Sequence, residues 1–389
     1  MVENSAMVDR FDIVIVGGGL SGAALALALR DTAWRVAVVE PNPPRAPGDD
    51  WDARVYAYSP GNVVWLQALG AWNATVRSQP VYAMRITGDD GGHLAFDALD
   101  AGLSELAFIA ESNRLHCSLW QGLRTAGNIE SIEAETAGVA WGDSEHELIL
   151  ADGRRLRAGL LVGADGAHSW LRAQANIGLT VEDYQHVGVV ANFETERPHR
   201  GTAYQWFRPD GVLAYLPLPG DRISIVWSTT PDQAEALKAL PPDAFTSRVA
   251  EAGGRHSLGT LRLVTPPQGF PLKRRRAEAW VRPSLVLIGD AAHTVHPLAG
   301  QGINLGFRDA RLLAEALRDS QRAPGDLGRL QAYALRRDED VSSVQFVTGG
   351  LKKLFASEDA LLRWLRNTGL SLTDSQAWLK QALMRHAIQ

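Results

Sequence analysis

Residues 11–40, FDIVIVGGGLSGAALALALRDTAWRVAVVE, determine how the chain begins to fold. The β-branched run at 11–16 predicts a strand, the glycines at 17–19 a tight turn, and the apolar residues at 23–30 a helix. A second strand is predicted at 36–40. This order is a βαβ unit, so we expect two parallel strands of one buried sheet, joined by a right-handed crossover.

Three glycines in this unit, Gly17, Gly19 and Gly22, have the spacing of a dinucleotide-binding turn. Glycine is needed there because the turn is tight, a pyrophosphate approaches the backbone, and the helix packs closely on the sheet. Free amides at the helix N-terminus then face the phosphate. Glu40 ends the second strand, where a carboxylate can accept hydrogen bonds from an adenosine ribose. The combination favours dinucleotide binding over an ordinary glycine-rich turn.

Composition excludes several classes of protein. At about 150 residues per domain, 389 residues predict two to three domains. A net charge of −5 argues against nucleic-acid binding. Cys117 is the only cysteine, which excludes an intrachain disulfide and a multi-cysteine metal site and favours a reducing compartment. The polar N-terminus does not resemble a signal peptide, and no transmembrane helix is expected.

The middle of the chain changes from alternating strands and helices to strands separated by turns. A hairpin is predicted around the Asp152–Gly153 turn. Helices are predicted at 62–69, 114–125 and 302–317, a buried strand at 285–288, and antiparallel strands at 188–193, 202–207, 212–216 and 223–228. The first domain is therefore expected to be discontinuous, with amphipathic helices after residue 340.

Two later motifs specify the dinucleotide. They are GADGAHSWLR at 163–172 and GDAAHTVHPLAGQGIN at 289–304. Asp290 follows a predicted buried strand, so its carboxylate emerges at the carboxyl end of the sheet, where such folds bind ligands. The loop at 297–302 is poor in side chains and precedes a helix whose positive end can face a flavin ring. Both motifs resemble fingerprints of FAD-dependent class A aromatic monooxygenases.

Three further stretches resemble the ubiquinone-biosynthesis hydroxylase family, the UbiH, UbiF and VisC relatives, over nearly the whole chain. They are RVYAYSPGN at 54–62, FRPDGVLAYLPL at 207–218 and SIVWS at 224–228. The resemblance implies an FAD-dependent monooxygenase that hydroxylates the aromatic ring of a polyprenylated phenol or quinol through a C4a-hydroperoxyflavin. It implies O2 as co-substrate and NAD(P)H as a transient electron donor.

The motif and the resemblance together predict the cofactor-binding residues. Arg54 would contact FAD behind the second strand, Asp290 the ribitol, and the loop after residue 296 the isoalloxazine, while Asp165 belongs to the motif linked to FAD and nicotinamide. The predicted FAD-binding residues are Gly17, Gly19, Leu20, Ser21, Gly22, Glu40, Arg54, Arg114, Asp165, Asp290, Pro297, Gly300, Gly302, Ile303 and Asn304. No catalytic base and no metal ligand are assigned.

The implied fold is α/β, an FAD-binding Rossmann-like domain of the GR2 type with an antiparallel-sheet substrate domain and C-terminal helices. The predicted FAD-binding segments are 8–75, 111–182 and 276–335, the substrate-domain segments are 76–110 and 183–275, and the C-terminal helical region is 336–389. A cytoplasmic location is expected, with peripheral association at the inner membrane or in a biosynthetic complex left open.

Several features have a plain structural interpretation beside a functional one. His293 and His296 are interpreted as orienting the flavin loop rather than as acids or bases. The basic run at 273–276 is interpreted as solvated surface rather than a phosphate or lipid site. Cys117 is interpreted as a core residue, and Tyr58 and Tyr215 depart from the smaller residues expected in the family. Two alternatives remain: a hydroxylase of a soluble aromatic compound, and a non-catalytic quinone-binding accessory flavoprotein.

Overall fold

A computed structural model describes residues 8–89, 91–254, 258–295 and 301–356 of the chain. Three β-sheets and eight α-helices form this part of the molecule. The strands are β1 (Val8–Val16), β2 (Val36–Val39), β3 (Val55–Tyr58), β4 (Ser78–Val81), β5 (Ala83–Thr87), β6 (His93–Asp97), β7 (Ala107–Glu111), β8 (Ile129–Ile132), β9 (Thr136–Ala140), β10 (His146–Leu150), β11 (Arg155–Gly163), β12 (Leu179–Thr195), β13 (Thr202–Arg208), β14 (Gly211–Leu218), β15 (Arg222–Thr229), β16 (Leu261–Leu263), β17 (Gln268–Ala277), β18 (Val281–Arg282), β19 (Leu285–Leu287) and β20 (His293–Thr294). The helices are α1 (Leu20–Ala28), α2 (Pro60–Ala68), α3 (Ser112–Arg124), α4 (Trp170–Gln174), α5 (Pro231–Ala239), α6 (Pro242–Ala252), α7 (Gln301–Leu317) and α8 (Leu327–Ala356).

The first sheet has the strand order β18-β19-β11-β1-β2-β8, with β10 and β9 beside β11. Strand β1 runs parallel to both β2 and β11, which confirms the predicted βαβ unit. Its residues 13–16 are buried because apolar clusters cover both faces of the sheet. One face packs against α1, α3 and α7. The carboxyl ends of β1, β2, β11 and β19 therefore meet at one edge, where such sheets bind ligands.

The second sheet has the order β20-β17-β12-β15-β14-β13-β5-β6, with β16 beside β12. Alternate residues of β12 to β15 pack against α5 and α6, forming a core around Phe193, Tyr215, Trp227 and Phe245. The predicted antiparallel strands are confirmed, but β13 also pairs with β5 in parallel. Helices α5 and α6 were not predicted from the sequence. Each is a short helix with a proline in its first turn. Because proline is also common in loops, it did not distinguish a helix from a loop.

The third sheet, β3-β7-β4, lies between the other two. Its apolar residues Val55, Ala57 and Ile109 pack against Ala203 and Leu218 of the second sheet. The segment at 51–58 is consequently held between the two large sheets.

The remaining predictions compare with the structure as follows. The hairpin around Asp152–Gly153 is confirmed as β10 and β11, and the predicted helices at 62–69, 114–125 and 302–317 are α2, α3 and α7. The region predicted to be helical after residue 336 is described as far as residue 356, where it belongs to α8. Within the described residues, no helix has the length and hydropathy to cross a membrane, and no cluster of metal-ligating side chains occurs.

Candidate cofactor and substrate site

The three motif glycines have different neighbours. A Cβ at Gly17, whose φ is +100°, would lie 2.5 Å from the backbone of Ala164, and one at Gly22 would lie 2.0 Å from the Gly17 oxygen. These two glycines are required by the packing of the protein itself. A Cβ at Gly19 would meet no atom within 4 Å. Gly19 also precedes the first residue of α1, so no side chain at this position caps the amides of that helix end.

Gly18 is held on both sides by residues of other elements. Its N–H donates to Oε2 of Glu40 at 2.8 Å. Its carbonyl oxygen accepts from Nε2 of His116 at 2.7 Å and from Nε1 of Trp120 at 2.8 Å. Burial lowers the pKa of His116, which keeps the ring neutral with its proton on the nitrogen that donates. Sequence reasoning missed His116 and Trp120, because they reach the turn from α3, almost a hundred residues away.

A cavity of about 410 Å³ adjoins Glu40. It is lined by residues 41–46 together with Arg124 and Glu133. Glu40 immediately precedes the lining residue Pro41, and its Oε1 accepts from the backbone of the lining residue Asn42 at 3.0 Å. The arrangement provides space for a nucleoside beside the carboxylate predicted to bind its ribose.

Asp290 lies in a one-turn 3₁₀ helix, Gly289–Ala291, at the carboxyl end of β19. The side chain is exposed, yet dense protein surrounds the opening that it faces. The desolvation raises the pKa of Asp290, and the charges of His293 and Arg275 oppose that change. A carboxylate with a raised pKa at the carboxyl end of a sheet strand is a candidate for a functional site.

Arg54 and Tyr56 lie near Asp290, since the charge of Asp290 acts on Tyr56 and that of Arg54 acts on Asp290. Burial raises the pKa of the Tyr56 hydroxyl. The charge of Arg54 opposes this change, and the charge of Asp290 adds to it. The guanidinium of Arg54 stacks on the ring of Phe270, 4.7 Å from its centroid. Since Phe270 belongs to β17, Arg54 spans from the third sheet to the second.

A buried ion cluster fixes the backbone before Arg54. Glu111, which is fully buried, accepts two hydrogen bonds from Arg77 at 2.7 and 2.8 Å and one from the Asp52 backbone at 2.8 Å. Arg114 approaches the same carboxylate, with Nε 3.3 Å from Oε2, and donates to the Gly48 carbonyl. The predicted ligand Arg114 thus has contacts within the protein that hold the loop bearing Arg54.

Asp165 has a local contact, whereas Ser21 contacts residues far along the chain. Oδ2 of Asp165 accepts from the Leu171 backbone at 2.9 Å, whereas its buried Oδ1 has no hydrogen-bond partner. Ser21 lies against Gly289 and Gly306, where an added Cβ would come within 3.0 and 2.4 Å of its Oγ. The first helix therefore packs directly against the turn of Asp290.

The start of α7 contains Gly302, Ile303 and Asn304. The Asn304 side chain is buried and accepts from the Ser59 N–H at 2.9 Å while donating to the Ala57 carbonyl at 2.9 Å. These hydrogen bonds join the side-chain amide of Asn304 to β3 and to the residue before α2. The predicted contact of Asn304 with the ring would therefore be made by its backbone atoms. Pro297, Gly300 and His296 lie outside the described residues.

His293 and the basic run at 273–276 each have a structural and a functional interpretation. His293 is buried and donates to Asp309 at 2.7 Å, as expected for an orienting residue. In the basic run, Lys273, Arg274 and Arg276 form ion pairs with acidic residues, while Arg275 forms none within the described chain.

The unusual tyrosines and the single cysteine are all buried. Tyr58 packs in the first core, and Tyr215 donates to the Val249 carbonyl at 2.8 Å in the second. Burial raises the pKa of Cys117, whose thiol donates to the Arg45 carbonyl, so it is a core residue as interpreted.

The second sheet supplies an apolar wall beside the segment that carries Arg54. The residues facing away from α5 and α6 form a continuous cross-strand row, Val190–Val226–Ala214–Gln205. The adjoining row is attached to the third sheet, for example through Asn192, which donates to the Asp52 carbonyl at 2.8 Å. Gln205 is the polar residue at one end of the row, and Gln268, which pairs with Val190, is an exposed polar residue at the other. The Gln205 amide has no hydrogen-bond partner within the described chain.

These residues fit FAD. Glu40 after β2, the space beyond Gly19 after β1, and Asp290 after β19 follow one edge of the sheet. This is the order in which FAD places its adenosine ribose, pyrophosphate and ribitol. The orphaned oxygen of Asp165 lies in the loop after β11 at that same edge.

Comparison with known proteins agrees with this fit. The FAD binding domain family matches residues 10–345. A 3-demethoxyubiquinol 3-hydroxylase of Escherichia coli is 34% identical over 97% of this chain and 98% of its own length. The ubiquinone hydroxylase UbiL of Rhodospirillum rubrum is also 34% identical, over 97% of this chain and 89% of its own. The chain belongs to the ubiquinone-biosynthesis hydroxylase family.

Solved structures support the same fold for this family member. The p-nitrophenol 4-monooxygenase PnpA of Pseudomonas putida superposes with a TM-score of 0.81 at 19% identity, covering 98% of this chain and 99% of that one. PqsL of Pseudomonas aeruginosa in complex with 2-aminobenzoylacetate gives 0.78 at 22% identity, covering 93% and 99%. These structures confirm the predicted α/β fold, and the matching family and the ubiquinone hydroxylase relatives confirm the FAD-dependent monooxygenase class. The domain boundaries remain a prediction.

Proposed function

We propose that this flavoprotein hydroxylates the aromatic ring of a polyprenylated phenol or quinol during ubiquinone formation. The observation that carries the proposal is the face of the second sheet turned away from α5 and α6, where the apolar row Val190–Val226–Ala214 ends at the polar Gln205. The names of the ubiquinone hydroxylases similar to this chain support the substrate class.

The chain's own residues bind and orient the cofactor. Gly19 and the first amides of α1 would receive the pyrophosphate, Glu40 the ribose, and Asp290 the ribitol. FAD supplies the activation of O2 and the transfer of one oxygen atom to the ring. The positive end of α7 would stabilise negative charge on the reduced ring by about 0.3–2 kcal/mol.

The apolar row beside Gln205 positions the substrate ring. A phenol is already electron-rich, so the protein mainly has to hold it in place and exclude water. Small apolar side chains at Val190, Val226 and Ala214 leave room for a flat ring. We assign to Gln205 the hydrogen bond to a ring oxygen, because it is the polar side chain beside the apolar row and no residue of the described chain occupies its amide.

The electron donor is proposed to be NAD(P)H. Arg275 supports this, since it is the member of the basic run that forms no ion pair within the described chain, while its charge acts on Asp290, Asp183 and Arg172. A guanidinium in this position can receive a phosphate group of the donor. Peripheral association with the membrane or with a biosynthetic complex is a further proposal, consistent with a lipid substrate.

Turnover of the purified holoenzyme with a short-chain prenyl phenol, NAD(P)H and O2 tests the proposal. The expected result is a product with one additional ring hydroxyl and NAD(P)H consumption coupled to it. In Gln205→Leu the KM for the phenol should rise about 10-fold, equivalent to about 1.4 kcal/mol. Val226→Ala is the matched control, because it changes the same wall without removing a polar group. Efficient turnover of soluble aromatic acids, with none of prenyl phenols, would instead support a soluble substrate.

A further inference from the structure

A buried carboxylate, Asp309 of α7, lies directly behind the turn that carries Asp290. Its Oδ2 accepts from the Gly289 N–H at 2.8 Å and from Nε2 of His293 at 2.7 Å. Its Oδ1 accepts from Nε of Arg337 at 2.6 Å. The side chains of Asp309, His293 and Arg337 are at most 2% exposed.

The carboxylate is ionised in spite of its burial. Burial alone would raise the pKa of Asp309, but the charges of His293 and Arg337 and the hydrogen bonds from His293 and Gly289 lower it overall. A buried anion is costly, and a buried ion pair is by itself weak evidence of a stabilising role. The hydrogen bonds therefore suggest another use, namely fixing backbone and ring positions around the turn.

Arg337 extends this cluster to the beginning of α7. Its Nη2 donates to the Leu305 carbonyl at 3.3 Å, and its Nη1 pairs with Asp340. Arg308 reaches the same Asp340 at 3.1 Å. The cluster thus joins α7 and α8 close to the end of α7 expected to face the flavin ring.

We propose that Asp309 is a positioning residue for FAD, which fixes the Asp290 turn relative to the N-terminal turn of α7. Gly289 and His293 hold one side of the carboxylate, and Arg337 holds the other. Without the negative charge, the turn and the helix end lose their common anchor, so the ribitol and ring contacts no longer have a fixed separation. The inference rests on FAD binding at this site and not on the identity of the aromatic substrate.

The test is FAD titration of apoprotein carrying Asp309→Asn, which keeps the shape but removes the charge. The dissociation constant for FAD should rise at least 10-fold, and the visible circular dichroism of bound FAD should change. Asp309→Glu, which restores the charge, should recover part of the affinity. Tyr215→Phe is the control, since it removes a buried hydrogen bond in the other core and should lower the melting temperature without changing FAD affinity.

An FAD dissociation constant within twofold of wild type, with an unchanged dichroism spectrum, would overturn the proposal. If Asp309→Asn does not fold, His293→Asn decides the matter, because it keeps the Asp309–Arg337 pair and removes only the hydrogen bond beside the turn. In that variant the dissociation constant should rise at least threefold, and an unchanged value would overturn the role. Because FAD binding is measured without substrate, an error in the proposed substrate class leaves this result unaffected.

Discussion

Replacing Gly19 with valine is expected to give a folded protein that has lost its FAD. The new Cβ would meet no protein atom within 4 Å, and Gly19 has an ordinary φ of −63°. The cost to the apoprotein is therefore limited to a poorer helix N-cap, about 1 kcal/mol or less.

The cost to FAD binding is much larger. The branched side chain would fill the space through which a phosphate reaches the first amides of α1. Each charge-assisted hydrogen bond lost in this way costs about 1.5–3 kcal/mol, or roughly a 10- to 100-fold rise in the dissociation constant. Gly19→Ala should have a smaller effect in the same direction.

The assay combines thermal melting of the apoprotein with FAD titration by fluorescence quenching. Gly22→Ala is the matched control, because its Cβ would lie 2.0 Å from the Gly17 oxygen and should destabilise the apoprotein itself. A Gly19→Val protein purified with a full complement of FAD would refute the proposed position of the pyrophosphate.

Three further variants test other parts of the site. Asp290→Ala should fold normally but bind FAD more weakly, by about 1–3 kcal/mol in a titration, and unchanged affinity would remove Asp290 from the site. Arg275→Ala should raise by about 10-fold the NAD(P)H concentration that half-saturates anaerobic flavin reduction, whereas Arg274→Ala should not; equal effects would argue against a phosphate contact at Arg275. Burial lowers the pKa of His116, so wild-type apoprotein should lose stability as the pH falls below about 6.5. In melting curves His116→Gln should depend less on pH, and a pH profile like that of wild type would contradict this role of His116.

The parts of the fold predicted from sequence are those determined by local pattern. The βαβ unit was predictable because alternating β-branched and helix-forming segments surround a glycine turn at 17–22. Helices α5 and α6 were missed because each is short and begins with proline. The parallel pairing of β13 with β5 joins strands more than a hundred residues apart, and no local pattern indicates it.

The predicted site residues show the same limit. The glycine spacing and the positions of Glu40 and Asp290 at strand ends can be identified from the sequence, and the structure brings these residues to one edge of the sheet. The groups that support these residues cannot be identified from the sequence. His116 reaches the Gly18 carbonyl from α3, and Asp309 lies behind the Asp290 turn. Helical spacing shows only that such residues lie on a helix, since their partners come from distant segments.

Incorporation of oxygen from ¹⁸O₂ is the most direct test of the proposed hydroxylation. Purified holoenzyme would be given a prenyl phenol, NAD(P)H and ¹⁸O₂, and the extracted lipid analysed by mass spectrometry. The account predicts a product carrying one ¹⁸O atom in a new ring hydroxyl. Consumption of NAD(P)H with hydrogen peroxide as the only oxygen product, across prenyl phenols and quinols of several substitution patterns, would contradict it.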